Sequence, residues 1–301
     1  YSENFHRQST IECLAKDFIK ALQTLIVHCQ SPEAGGYTPS DFPLTNLDQV
    51  TLDRLLANRQ IQDLYPLSPT QQGMLFHSLY APESGVYFEQ LHLTLEGTLN
   101  VFAFKQAWQQ VINRHAVLRT AVVWKGLEQP LQMVYSQVEL PWVQLDWRNF
   151  SITEQPEQLA DFLIQDRKQG FDLTQVPLMR CALIRVTNNK HKFIWSHHHL
   201  LLDGWCLSLI FKEVFAFYEA FCQEQSLHLE PAHPYQDYIA WLQQQDISKA
   251  EAFWKDQLKG FTAPTPFQVD NLYNKPPSQL EETYEEYTLE LSKTTTEALQ
   301  F

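Results

Sequence analysis

Three adjacent histidines followed by an Asp-Gly pair are the residues of this chain best placed to do chemistry. They lie in Ser196-His197-His198-His199-Leu200-Leu201-Leu202-Asp203-Gly204-Trp205, directly after the apolar run Phe193-Ile194-Trp195. The run before them reads as a strand. The run after Asp203, with Leu207, Ile210, Val214, Phe217 and Phe221 at helical spacing, reads as a helix. Backbone amides at a helix start favour developing negative charge, so a histidine just upstream is set to share a reacting carbonyl with them, which is an acyl-transfer arrangement. Any single histidine here is better read as capping the strand or sitting satisfied in a core. The ordered set HHxxxDG is what points to chemistry.

The surrounding pattern predicts how this segment is held. Leu178 to Val186 and His191 to His198 read as strands joined by the turn-prone Thr187-Asn188-Asn189-Lys190, so the histidines arrive at a strand end. Adjacent strand residues point to opposite faces, which puts His197 and His199 on one face and His198 on the other. Upstream, Ser68 or Thr70 caps a helix carrying Met74, Leu75 and Leu79, and Leu91, Leu93 and Leu95 alternate as a half-buried strand. Asn100 caps a helix with Val101, Phe104, Trp108, Val111 and Ile112 on one face. Strands are expected over Leu118–Trp124 and Leu131–Tyr135, then a helix over Glu157–Gln169 with Leu159, Phe162 and Leu163 inward and Gly170 as its stop. A further helical stretch holds Phe253, Trp254 and Leu258.

Three other segments complete the pattern. Ser68-Pro69-Thr70-Gln71-Gln72-Gly73-Met74-Leu75-Phe76-His77, Arg114-His115-Ala116-Val117-Leu118-Arg119-Thr120 and Tyr235-Gln236-Asp237-Tyr238-Ile239-Ala240-Trp241 flank the histidine segment, two before it and one after. Together, and in this order, the four segments resemble the motifs of condensation domains of nonribosomal peptide synthetases, relatives of chloramphenicol acetyltransferase, from about Leu64 to Phe301. The resemblance implies an α/β fold, a chloramphenicol-acetyltransferase-like two-layer sandwich, with the N-terminal half and only the start of the second half present. It also implies an acyltransferase-type enzyme that forms a peptide bond between a donor aminoacyl or peptidyl group and an acceptor aminoacyl group. Both would be held as phosphopantetheine thioesters on upstream and downstream carrier domains. No directly bound cofactor and no metal are implied. Adjacent epimerization and adenylation domains of the same megasynthase are the other implied partners.

By the same resemblance His199 is the catalytic residue, acting as base or as a hydrogen-bonding group, with His198, Asp203 and Gly204 in support. Asp203 is expected either to form an ion pair with Arg114 or Arg119 or to cap the helix that follows. Gly204 is expected to leave room for the tethered substrate, and its amide to support developing charge. Four alternatives stand beside this reading. A metal site of His197, His199 and Asp203 is allowed by the i,i+2 spacing on a strand. A non-catalytic recruitment platform would lack the second histidine, and a heterocyclization domain would carry aspartates in place of the histidines. Epimerization domains share HHxxxDG, but they tend to show Ser-Trp after the glycine, where this chain has Trp205-Cys206-Leu207.

Composition bounds the rest. The chain has 301 residues, 44% of them hydrophobic, enough for a sizeable core. A net charge of −13 argues against nucleic acid and against an anionic membrane surface. No apolar run approaches the roughly 20 residues of a membrane span, so a cytoplasmic location is expected. Cys13, Cys29, Cys181, Cys206 and Cys222 lack CxxC spacing and read as reduced thiols.

Before the first motif, a strand tail and a helix are expected, with Ser9 and Glu12 as a capping box ahead of Ile11, Leu14, Phe18, Leu22, Leu25 and Ile26. Residues 1–44 resemble the C-terminal tail of a preceding epimerization-type domain, so the numbering is expected to be that of a piece of a longer enzyme. A linker over 45–62 and the acetyltransferase-like half over 63–260 follow. A crossing linker over 261–283 and the truncated second half over 284–301, opening with a strand at Tyr287–Leu291, complete the chain. Because two halves would be needed to align two thioester arms, residues 1–301 alone are expected to make no peptide bond. The upstream tail, the opening Leu67–His77 and the continuation Asp203-Gly204-Trp205-Cys206 also resemble the subtype that takes a D-configured donor and an L-configured acceptor.

Overall fold

The polar and apolar periodicities above become two sheets wrapped by helices. The computed structural model describes residues 2, 4–31, 35–57, 59–263 and 289–300. In chain order the first elements are α1 (Gln8–Cys29), α2 (Gln49–Leu56), β1 (Ile61–Pro66), α3 (Pro69–Tyr80), β2 (Phe88–Glu96) and α4 (Val101–Arg114). A 3-10 turn at Ala116–Arg119 leads into β3 (Thr120–Val123), β4 (Leu131–Tyr135), β5 (Trp142–Asp146) and α5 (Gln155–Gln169). Then come β6 (Met179–Thr187), β7 (Lys190–His198), α6 (Gly204–Cys222), α7 (Tyr235–Gln243), α8 (Ile247–Gln257) and α9 (Lys293–Leu299).

The larger sheet has the order β2-β7-β6-β5, antiparallel except for the parallel β5–β6 edge. Its inner face presents Cys181, Leu183, Phe193 and Trp195 to Phe104 and Trp108 of α4 and Ile210, Val214 and Phe217 of α6. Trp108 sits at the centre, wholly buried, its ring centroid 4.9 Å from that of Trp195 and 5.3 Å from that of Phe193. Fully burying a large apolar side chain contributes about 1.5–3 kcal/mol, so this aromatic cluster anchors β7 from beneath. The outer face is apolar too, with Ala182, Ile184 and Ile194 against Leu159, Phe162 and Leu163 of α5. The expected sandwich of sheet and helices is present, and α5 adds a layer on the far side.

The smaller sheet, β1-β4-β3, is antiparallel. Here the structure departs from the sequence pattern. Phe42 and, on α2, Leu52 and Leu56 are buried against Leu64, Leu131 and Met133 of this sheet, and Tyr37 donates its hydroxyl hydrogen to the Ile61 carbonyl at 2.7 Å. The segment expected to be a linker over 45–62 therefore carries a packed helix. The change in packing falls ahead of Tyr37, not between residues 44 and 45, because Phe42 and Leu52 have an apolar sheet face to cover. The strand expected over Leu118–Trp124 begins only at Thr120, and β5 has no counterpart among the expected strands.

At the N-terminal end no strand precedes α1 among the described residues. The Ser9–Glu12 capping box is not formed, because the helix starts at Gln8 and Glu12 instead accepts from the Gln8 amide at 2.8 Å. None of the residues of α1 is buried. Of the expected last strand, Tyr287 and Thr288 lie outside the described residues, as does most of the crossing linker, and Leu289–Leu291 is not a strand.

Candidate active site

The four sequence motifs meet at one open cavity of about 710 Å³. Gln71 and Met74 line it from α3, Arg114 and His115 from the end of α4, His199 from the turn after β7, and Tyr235 from α7. Each motif is local in sequence, but only the fold brings the four together. His199 also lines a second, smaller cavity of about 160 Å³, shared with Glu89, His197 and Gly204.

Several contacts fix the His199 turn. The backbone N–H of His199 donates to the Tyr87 carbonyl at 2.8 Å. Tyr87 itself has φ of 66°, a left-handed conformation that side chains other than Asn and Asp seldom adopt. Its ring lies within 7° of parallel to the His199 imidazole at a centroid distance of 6.3 Å. The buried Gln71 amide donates to the Leu200 carbonyl and to Gln132, both at 3.0 Å, tying the turn to the smaller sheet. Gln71 also closes the cap of its own helix, accepting from the Ser68 N–H while Ser68 accepts from the Gln71 N–H.

The three histidines have different surroundings. His198 is buried, and its Nδ1 accepts from the Leu200 N–H at 3.2 Å, so Nε2 carries the proton and donates to Ser78 Oγ at 3.3 Å. Ser78 passes its own hydrogen to the Met74 carbonyl at 2.8 Å. Burial, with a smaller contribution from His199, holds His198 down to about 4. His197 is buried as well, stacked on Trp195 at 4.6 Å, and its Nδ1 has no hydrogen-bond partner. Burial, aided by His199 and then His198, lowers it to about 4. Both rings are therefore neutral near pH 7. Only the His199 side chain is partly open, 29% exposed, with Nδ1 3.8 Å from a carboxylate oxygen of Glu89.

Asp203 is a helix cap. Its Oδ1 accepts from the N–H groups of Trp205 at 3.0 Å and Cys206 at 3.3 Å. The expected ion pair with Arg114 or Arg119 is not made. Arg114 donates from Nε to both oxygens of Glu213 on α6 at 3.1 Å, and His115 Nε2 lies 2.7 Å from the same carboxylate. Arg119 is buried and spends its donors on the carbonyls of Ile112, Tyr135 and Ser136 and on Gln62. A buried guanidinium must satisfy its N–H groups, and the nearby strand-end carbonyls do so. The amides of Trp205 and Cys206 are taken up by Asp203, which leaves less for a reacting group than a bare helix start would. A Cβ on Gly204 would meet nothing within 4 Å, so this glycine borders open space. His197, His199 and Asp203 do not form a ligand set, and no group of three such side chains among the described residues is arranged to hold a metal.

The condensation domain family model matches residues 61–301. This chain belongs to the condensation domain family. One protein of the linear gramicidin synthase of Brevibacillus parabrevis is 44% identical over 301 residues, covering all of this chain and 4% of that protein. Another protein of the same synthase is 48% identical over 267 residues, 88% of this chain and 5% of that protein. Bacitracin synthase 1 of Bacillus licheniformis is 34% identical over 265 residues, 87% of this chain and 5% of that protein. The chain thus spans only 4–5% of the length of these relatives. Among solved structures, the starter condensation domain of rhizomide synthetase aligns with a TM-score of 0.57 at 23% identity, over 69% of this chain and 52% of that one. The first condensation domain of the calcium-dependent antibiotic synthetase aligns with a TM-score of 0.58 at 14% identity, over 67% and 49%. At these identities the likeness is one of fold, and it agrees with the mixed α/β architecture.

In this condensation domain, sequence reasoning named His198, His199, Asp203 and Gly204, and the structure sets all four around one corner. It missed Tyr87, Gln71 and Glu89 as neighbours of that corner. Gln71 was legible as part of a motif but not as the anchor of the Leu200 carbonyl. Tyr87 and Glu89 carry no local signal, since their approach depends on the pairing of β2 with β7.

Proposed function

We propose that this domain joins a donor aminoacyl or peptidyl thioester to the amine of an acceptor aminoacyl thioester, with His199 as the catalytic residue. The observation that carries the proposal is the convergence of four motifs, far apart in sequence, on one cavity bordered by the half-open His199. The amine nitrogen attacks the thioester carbonyl carbon, an N–C bond forms, and the C–S bond breaks as the thiolate leaves. The proton released by the amine passes to His199 and on to the thiolate, so no net acid or base is consumed. An α-amino group titrates near 7.7–8.0, so a sizeable share is neutral at pH 7 and the histidine need only steer and relay the proton. Asp203 shapes the corner by ending the turn, and His198 supports it through Ser78.

The substrates arrive on phosphopantetheine arms of carrier domains upstream and downstream, in a cytoplasmic megasynthase that also holds adenylation and epimerization domains. We assign the donor a D-configured terminal residue. The reading rests on the sequence around Leu67–His77 and Asp203–Cys206, and on the N-terminal segment's resemblance to an epimerization-type tail. That segment lies within the 301 residues over which a linear gramicidin synthase protein aligns with this chain.

The test is His199→Ala in the full-length protein, with both carriers loaded and product followed by mass spectrometry. Peptide formation should fall at least about a hundredfold with the melting temperature unchanged. An unaltered rate would remove His199 from the reaction. Loading the upstream carrier with D- or L-terminated donor tests the stereochemistry, and equal rates or a preference for L would cancel the D-donor assignment.

A further inference from the structure

We infer that Glu89 is a positioning residue for His199, holding the proton on Nδ1 so that Nε2 is the nitrogen left to exchange protons with the substrate. The inference rests on the condensation reading above and goes beyond it in naming a residue from β2, outside all four motifs.

Strand register brings the two together. In the antiparallel β2–β7 pair Glu89 lies directly opposite His197, so both side chains emerge on one face, and the next residue on that face of the chain is His199. The result is a carboxylate oxygen 3.8 Å from His199 Nδ1, with Glu89, His197 and His199 all bordering the small cavity. That separation is longer than a hydrogen bond. Both side chains are partly exposed, and catalytic hydrogen bonds are often long in a site without substrate and shorten when it binds.

Most of the other groups around the ring are already committed, and His197, whose Nδ1 has no partner, is a neutral ring that carries no charge to hold a proton on its neighbour. An imidazole needs one nitrogen protonated and the other free, and the group beside the protonated nitrogen decides which. Asp203 is engaged by the Trp205 and Cys206 amides. His197 is neutral and buried, and His198 has both ring nitrogens engaged by Leu200 and Ser78. Tyr87 stacks on the ring and its carbonyl takes the backbone N–H of His199, not an imidazole N–H. Among the described residues Glu89 supplies the one carboxylate within 4 Å of the His199 ring nitrogens.

During the reaction the amine proton would move to Nε2 and the Nδ1 proton would stay between the ring and Glu89. The carboxylate stabilises the imidazolium without being protonated itself, and the Nε2 proton then leaves with the thiolate. Because Glu89 is about half exposed, its contribution is smaller than that of a buried carboxylate.

The experiment combines nitrogen NMR with kinetics on the full-length protein. In 15N-histidine-labelled protein, His199 should be the Nδ1–H tautomer, and Glu89→Ala should abolish that preference. With loaded carriers, Glu89→Ala should lower kcat about ten- to fiftyfold with KM for the acceptor carrier changed less than about twofold. Glu89→Gln, which keeps an acceptor oxygen and loses the charge, should fall between. A His199 tautomer that is unchanged in Glu89→Ala overturns the inference, whatever happens to kcat, since a merely structural loss would slow the enzyme without moving the proton. A kcat within about twofold of wild type overturns it equally. Wild-type protein that makes no peptide with loaded carriers would overturn the condensation reading instead, and the tautomer measurement would still decide the placement of the proton by Glu89.

Discussion

The β7–α6 corner and helix α1 invert the usual rule of polar outside and apolar inside in opposite directions. At the corner, His197 and His198 are 3% and 5% exposed in the middle of a folded body. On α1, Leu14 and Phe18 are 65% and 66% exposed. Both segments have clear periodicity, and both form the secondary structure it predicts. What differs is the partner. β7 is fixed on one face by Trp108 and on the other by α5, so its histidines are buried whether or not they favour it. α1 has an apolar stripe, and among the described residues nothing buries it. Amphipathic spacing thus decides that a helix forms, while burial is decided by whether another surface is there to receive it.

The largest expected effect that would break this contrast is on acid stability. His197 and His198 sit near 4 in the folded protein, below the usual histidine value near 6.5, so the unfolded chain binds their protons first as pH falls. The stability they allow is intact above about 6.5 and is lost on the way down to about 4. Between pH 7 and pH 5 each histidine should cost about 2 kcal/mol, less where the two are coupled. Urea unfolding of the domain at the two pH values measures this, and His197→Leu should flatten the dependence. An equal unfolding free energy at pH 5 and pH 7 would mean that the corner is open to water, no different from α1.

A smaller effect is expected at the start of α6. Asp203→Ala removes the cap on two amides and should destabilise by about 1 kcal/mol. Activity should fall with the melting temperature, since the same turn carries His199. Loss of activity at full stability would assign Asp203 a part in the chemistry rather than in holding the corner.

The smallest effect lies on α1. Phe18→Ala in this chain should change the unfolding free energy by less than about 0.5 kcal/mol, as for other exposed substitutions. A loss of about 2 kcal/mol or more in the full-length protein alone would show that a further segment covers the stripe there, and the contrast with the corner would then disappear.

Much of the corner is legible in sequence because it is built from short-range chemistry. The β6–β7 hairpin follows from two apolar runs around Asn188-Asn189, and the three helix starts at Ser68, Asn100 and Asp203 follow from side chains that accept from amides two or three residues on. The partner of Asp203 is less legible. A carboxylate next to a helix start can cap it or reach an arginine, and the Arg114–Glu213–His115 cluster that draws Arg114 away is assembled from residues about a hundred positions apart.

Other features have no local signature at all. The parallel edge strand β5 is half exposed and lacks a clean alternation, so it is recognised only by its pairing with β6. Residues 45–62 are expected to form a linker, but an apolar sheet face is available to Phe42, Leu52 and Leu56, and burying them outweighs the local pattern. By itself, then, the sequence determined the strands and helices that flank the histidine turn, where several helices start, and that a histidine and a capped helix share one turn, because those outcomes depend on neighbours a few residues away. Only the tertiary structure decided that Glu89 stands beside His199, that Gln71 holds Leu200, and that four motifs open on one cavity. Each of these depends on strand register or on the packing of sheet against helix, and in both cases the contacting residues come from distant parts of the chain.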